Sequence, residues 1–117
     1  MNNKKERIAD VIDRSRDELF ELSKKIHDHP ELGFEEFQAV EAISSVLERH
    51  GFQVQKGYGG LQTAFRADKA GKGKGPNVAF LAEYDALRGI GHGCGHNLIA
   101  TCSTGAFLGL ASMMAEL

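Results

Sequence analysis

The last stretch of this 117-residue chain limits its fold more than any other. From Asn97 to Ala115 there is no charged residue, and apolar side chains fall all round the helical wheel. A helix that is greasy on every side belongs inside a large core or in lipid. Gly105 and Gly109 have the small-xxx-small spacing that membrane helix dimers use. Against lipid stand Asn97, Thr101, Ser103, Thr104 and Ser112, and the lack of flanking Lys or Arg. We read a buried helix and no membrane association. The remaining sequence offers two amphipathic helices and three short strands, too little to cover it. The chain therefore reads as part of a larger domain, with an apolar face open to self-association.

The first helix is expected from about Lys5 to Asp28, where Ile8, Ile12, Leu19, Leu22 and Ile26 recur three, four or seven residues apart. Pro30 ends it, because the residue before a proline avoids helical angles. A second helix is expected from about Phe34 to His50, buried through Phe37, Val40, Ile43 and Leu47 and closed by Gly51. Strands are expected at Phe52–Gln55, Thr63–Ala67 and, most apolar of the three, Asn77–Glu83. The segment Lys69–Pro76 carries glycines and lysines, but a phosphate-cradling loop opens a helix, whereas Gly75-Pro76 leads into a strand. It is a solvated turn.

Charge removes one class of function. Fourteen basic against sixteen acidic residues give a net charge of -2, which offers no field for a nucleic-acid backbone. Two cysteines are too few for a disulfide scaffold, and no signal peptide opens the chain, so a reducing cytoplasm is expected.

The chemistry-bearing residues lie together in sequence. Glu83-Tyr84-Asp85 ends the third expected strand, and His92-Gly93-Cys94-Gly95-His96 leads into the apolar helix. Imidazole, thiolate and carboxylate are the side chains that hold zinc, and the alternating glycines let the backbone bend so that they converge. A helix N-terminus beside Cys94 favours its thiolate. The spacing is not that of a structural zinc finger, so a catalytic site with its other ligands elsewhere fits better. His27 and His29 read as helix-end residues, Cys102 as a small buried residue, and Glu35 and Glu36 as first-turn charges.

These motifs resemble a known family. Glu83-Tyr84-Asp85-Ala86-Leu87, Gly89-Ile90-Gly91-His92 and Cys94-Gly95-His96-Asn97-Leu98 are similar to those of the dinuclear zinc amidohydrolases and metallopeptidases. That family includes aminoacylases, auxin-conjugate hydrolases and carboxypeptidase G. The resemblance is closest to its aminobenzoyl-glutamate hydrolase and aminoacylase-like dipeptidase branch. His29-Pro30-Glu31-Leu32-Gly33 with Glu35-Glu36 resembles the family's more N-terminal signature.

The resemblance implies an α/β fold. Residues 1–117 would be the N-terminal part of a mixed-sheet α/β/α catalytic domain, with two helices, about three strands and one buried helix. It implies Cys94 and His96 as metal ligands, the thiolate able to bridge two ions, and Asp85 as the carboxylate that orients a ligand. Glu83 stands where some relatives place a ligand, and His92 belongs to the motif without being one. The implied cofactor is zinc, with manganese or cobalt as substitutes. The implied partners are a small amide or dipeptide substrate and further copies in a homo-oligomer. The implied reaction is amide hydrolysis, with the chain inactive alone because the proton-shuttling glutamate is not in it. The alternative is a non-catalytic remnant or structural module that self-associates through its apolar last helix. Arg88 and Gly93 depart from the family's proline and alanine, changes expected to free a turn and loosen the ligand loop.

Overall fold

In a computed structural model describing residues 3–117, the single helix expected from Lys5 to Asp28 is two, α1 (Asn3–Arg14) and α2 (Arg16–Asp28). The break is at Ser15, whose hydroxyl donates to the Val11 carbonyl at 3.0 Å. Such back-bonding to a carbonyl one turn earlier bends helices. Helix α2 then ends as expected before Pro30, with His29 Nδ1 bonding the Lys25 carbonyl at 2.9 Å.

Helix α3 (Phe37–Arg49) starts three residues later than its apolar pattern suggests. Phe34 sits at φ 70°, outside the helical region, and Glu35 and Glu36 precede the helix rather than forming its first turn. Its other end follows the expectation. Gly51, at φ 89°, donates to Glu48 at 3.0 Å, and Phe52 donates to Leu47 at 3.1 Å, the paired bonds of a Schellman cap.

The core gathers on α3. Val40, Ile43, Val46 and Leu47 are buried with Leu22 and Ile26 of α2, Ala100 and Leu108 of the last helix, and Tyr84. That last helix, α4 (His96–Ala111), buries one side only. Ala100, Thr104, Gly105, Leu108 and Gly109 face inward, whereas Leu98, Ile99 and Cys102 are exposed. Cys102 is thus not the buried residue expected. The two glycines serve the fold from within: a Cβ on Gly109 would lie 2.9 Å from Ile8 and 3.0 Å from Ile12, and one on Gly105 would lie 3.1 Å from Leu19. The run His96–Glu116 is long and apolar enough, by length and composition, to cross a membrane. Its small residues nevertheless let α1 and α2 lie close against it.

The sheet departs most from expectation. Strands β1 (Gln55–Lys56) and β2 (Phe65–Arg66) pair antiparallel, with Gln55 opposite Arg66 and Lys56 opposite Phe65. Residues 77–83 form no strand, and Val78 and Leu81 are 64% and 76% exposed. Strand formation needs a neighbour to take the backbone hydrogen bonds, and the two-residue ribbon gives this apolar segment none. The observed architecture is therefore a small mixed α/β unit of four helices and one two-stranded antiparallel sheet, not a mixed sheet between helix layers. Its accessible surface is 7720 Å², against about 6200 Å² for a compact monomer of 12.7 kDa. Exposed apolar residues on α4 and in residues 77–83, among them Leu98, Ile99, Val78 and Leu81, contribute to that surface.

Candidate metal centre

Glu83 and Asp85 are held in place by the residue between them. Tyr84 turns into the core, 8% exposed, stacks on Phe65 and donates its hydroxyl to the Thr63 carbonyl. Burial, reinforced by the negative charge of Glu36, pushes its phenol up to about 12. Because this folded value exceeds the unfolded one of about 10, the folded state holds the proton more tightly. The stability this contributes is complete below pH 10 and is lost as pH rises through 12. Absorbance titration is expected to show a tyrosinate step near pH 12 that Tyr84→Phe removes, and the loss of denaturant resistance above pH 10 should shrink in that variant. A step that persists in Tyr84→Phe would contradict the assignment.

Asp85 and His96, eleven residues apart in sequence, meet directly. His96 Nδ1 lies 2.7 Å from Asp85 Oδ1 and 3.0 Å from the Asp85 carbonyl. Both partners are acceptors, so Nδ1 carries the proton. The other nitrogen, Nε2, faces Glu83 Oε2 at 3.2 Å. The histidine is 19% exposed and the glutamate 60%, which leaves this side open to solvent. The contact is closed either by a proton on Nε2, which would donate to the carboxylate, or by a cation bound to both atoms. Two ligand atoms each about 2.1 Å from a tetrahedral metal are about 3.4 Å apart, close to the observed separation. The pair therefore fits part of a metal site.

The loop carrying the other candidates is closed before it reaches them. Leu87 and Gly91 exchange two backbone hydrogen bonds, each 2.9 Å, so the turn holding Arg88 is fixed without a proline. Gly93 also has a structural reason. An alanine there would place its Cβ 2.6 Å from Ile90 Cγ2, and Ile90 would have to rotate away. Gly95, at φ 78°, turns the chain into α4 and delivers His96 as its first residue.

Cys94 is exposed in this loop. Among the described residues, no group of three or more His, Cys, Asp or Glu side chains is placed to hold a metal ion. The structure thus joins His96 with Asp85 and Glu83, and does not bring Cys94 into a common group with them. His92 is packed inward against the Ile26 backbone, with both ring nitrogens buried. Burial first, and then the nearby His27 and His96, lower its pKa below the usual histidine range. Its ring centroid is 6.4 Å from that of His27, a residue that is exposed and bonded to Asp28.

One residue of the neighbourhood has no local signature in the sequence. The carboxylate of Glu31 accepts the amides of Gln38 and Ala39, both at 2.9 Å, and so caps α3. Its distance from the helix start is greater than the capping-box spacing, which is the pattern a sequence reading looks for.

No family model matches the chain. Individual proteins do. It is 42% identical over 119 residues to the Xaa-Arg dipeptidase of Mus musculus, covering 94% of this chain and 27% of that protein. It is 36% identical over 126 residues to a p-aminobenzoyl-glutamate hydrolase subunit of Escherichia coli, covering 93% and 26%. Against the N-acetyl-L-cysteine deacetylase of Bacillus subtilis it is 33% identical over 113 residues, covering 85% and 26%. The chain spans about a quarter of the length of these relatives.

Proposed function

The chain belongs to the amidohydrolase and peptidase family that these relatives represent, and on that premise we propose that it supplies part of the metal centre of an enzyme cleaving an amide bond. The substrate class proposed is an N-acyl amino acid or a dipeptide-like molecule. The observation that carries this reading is His96, with its Nδ1 proton committed to Asp85 and its Nε2 aimed at Glu83.

Three side chains would hold the metal. His96 would present Nε2 and Glu83 a carboxylate oxygen, and Cys94, exposed in the adjoining loop, would add its sulfur once that loop brings it to them. Zinc or cobalt suits such a donor set better than manganese, because of the sulfur. When bound, the metal supplies Lewis acidity that polarises an amide carbonyl and activates water. Asp85 orients the imidazole and keeps its proton on the side away from the metal, as partners of ligating histidines generally do. In a reducing cytoplasm, which the reading keeps, Cys94 stays a free thiol. The remaining ligands and the glutamate that shuttles protons would come from outside these 117 residues. The chain alone is therefore expected to bind metal and not to turn over substrate.

Glu83 provides the test, since its role is the least settled by the family pattern. Equilibrium dialysis against zinc is expected to show binding that Glu83→Gln weakens at least about tenfold, because the amide lacks the anionic oxygen. Equal affinity in the two proteins would remove Glu83 from the site.

A further inference from the structure

We propose that Glu31 is a positioning residue for this metal centre, acting through the backbone of the turn it anchors; the proposal rests on the reading of His96 as a ligand. Glu31 is fixed at one end by its carboxylate, whose two oxygens accept the Gln38 and Ala39 amides, both at 2.9 Å. Those amides open α3, the helix that carries fully buried Ile43, so the anchor is tied to a helix seated in the core. At the other end, the Glu31 carbonyl accepts the Ala86 amide at 2.7 Å. Ala86 is buried and directly follows Asp85.

The flanking residues touch the same segment. A Cβ on Gly91 would lie 3.9 Å from the Pro30 ring, and one on Gly33 would lie 4.0 Å from Asp85 Oδ2. The turn from Pro30 to Gly33 therefore abuts the site both at Asp85 and at the loop beyond it. Position passes from the α3 amides to the Glu31 carboxylate, through its carbonyl to Ala86, and so to Asp85 and the 2.7 Å bond on His96. A forked acceptor is what the arrangement needs. Alanine leaves both helix amides without a partner and frees the turn, whereas glutamine keeps one acceptor oxygen.

The test compares wild type, Glu31→Ala, Glu31→Gln and Ile43→Val, the last loosening the core of α3 without touching the turn. The first readout is the imidazole nitrogen-15 spectrum of His96 in metal-free protein, which reports the Nδ1–H tautomer. The second is cobalt(II) affinity. Glu31→Ala is expected to shift the His96 signals towards a tautomer mixture and to weaken cobalt binding about tenfold. Glu31→Gln should fall between, at about threefold, and Ile43→Val should leave both readouts at wild type. Wild-type His96 signals in folded Glu31→Ala would overturn the proposal, as would an equal shift in Ile43→Val. If Glu31→Ala does not fold, unchanged signals in Glu31→Gln overturn it instead. A wild-type protein that takes up no cobalt overturns the metal reading, and the His96 spectrum still decides the role of Glu31.

Discussion

Gly109→Leu is expected to destabilise the fold by about 2 kcal/mol and to lower the melting temperature by about 10 °C. At this position even a single Cβ would stand 2.9 Å from Ile8 Cγ2 and 3.0 Å from Ile12 Cδ1, and leucine adds three more carbons. Overpacking of this kind costs about 3 kcal/mol at the upper end, offset by about 1 kcal/mol from the better helix propensity of leucine. Helix α1 has no fully buried residue, so its seat on α4 depends on this close approach. Gly105→Ala is the matched control. Its Cβ would meet only the mobile end of Leu19 at 3.1 Å, and the helix-propensity gain should leave stability unchanged within about 0.5 kcal/mol. Thermal unfolding of the two variants checks both numbers. An unaltered melting temperature in Gly109→Leu would mean that α1 does not rest on α4 in solution.

The second large effect concerns the site. His96→Ala is expected to lower divalent-metal affinity by more than about 100-fold, since it deletes the one donor whose orientation the fold fixes on both sides. Asp85→Asn should cost about 10- to 100-fold through loss of the charged acceptor on Nδ1. Neither change removes core contacts, so circular dichroism should remain that of the wild type while isothermal titration with zinc separates the three proteins. Asp85→Asn with undiminished affinity would show that the 2.7 Å bond is not what aims the imidazole.

What could be read from the residues was local in its cause. Pro30 stopping α2 and Gly51 closing α3 act within a few residues of themselves, and both stand as read. The meeting of Asp85 and His96 was implied by the family resemblance, which placed Asp85 as the carboxylate that orients a ligand. The break at Ser15 was hidden, since the apolar stripe from Ile12 to Leu19 runs through it in helical register. The expected strand at residues 77–83 failed for a different reason: its composition suits a strand, but pairing belongs to the partner, and none is at hand. Cys102 was misplaced for the same cause, as α4 is apolar all round yet covered on one side only. The family resemblance rested on the two quoted motifs, and identity across about nine-tenths of the chain bears it out. The position of Cys94 relative to His96 and Glu83 is not fixed by those motifs, and the residue is exposed in its loop.

The central claim is that this chain carries metal ligands at both Cys94 and His96. Cobalt(II) titration of metal-free protein, followed through the thiolate-to-cobalt charge-transfer band, measures it directly. The account predicts a saturable band in the wild type, lost in Cys94→Ala, with residual weaker binding through His96 and Glu83. Equal affinity and the same spectrum in Cys94→Ala, or no cobalt uptake by the wild type, would contradict it.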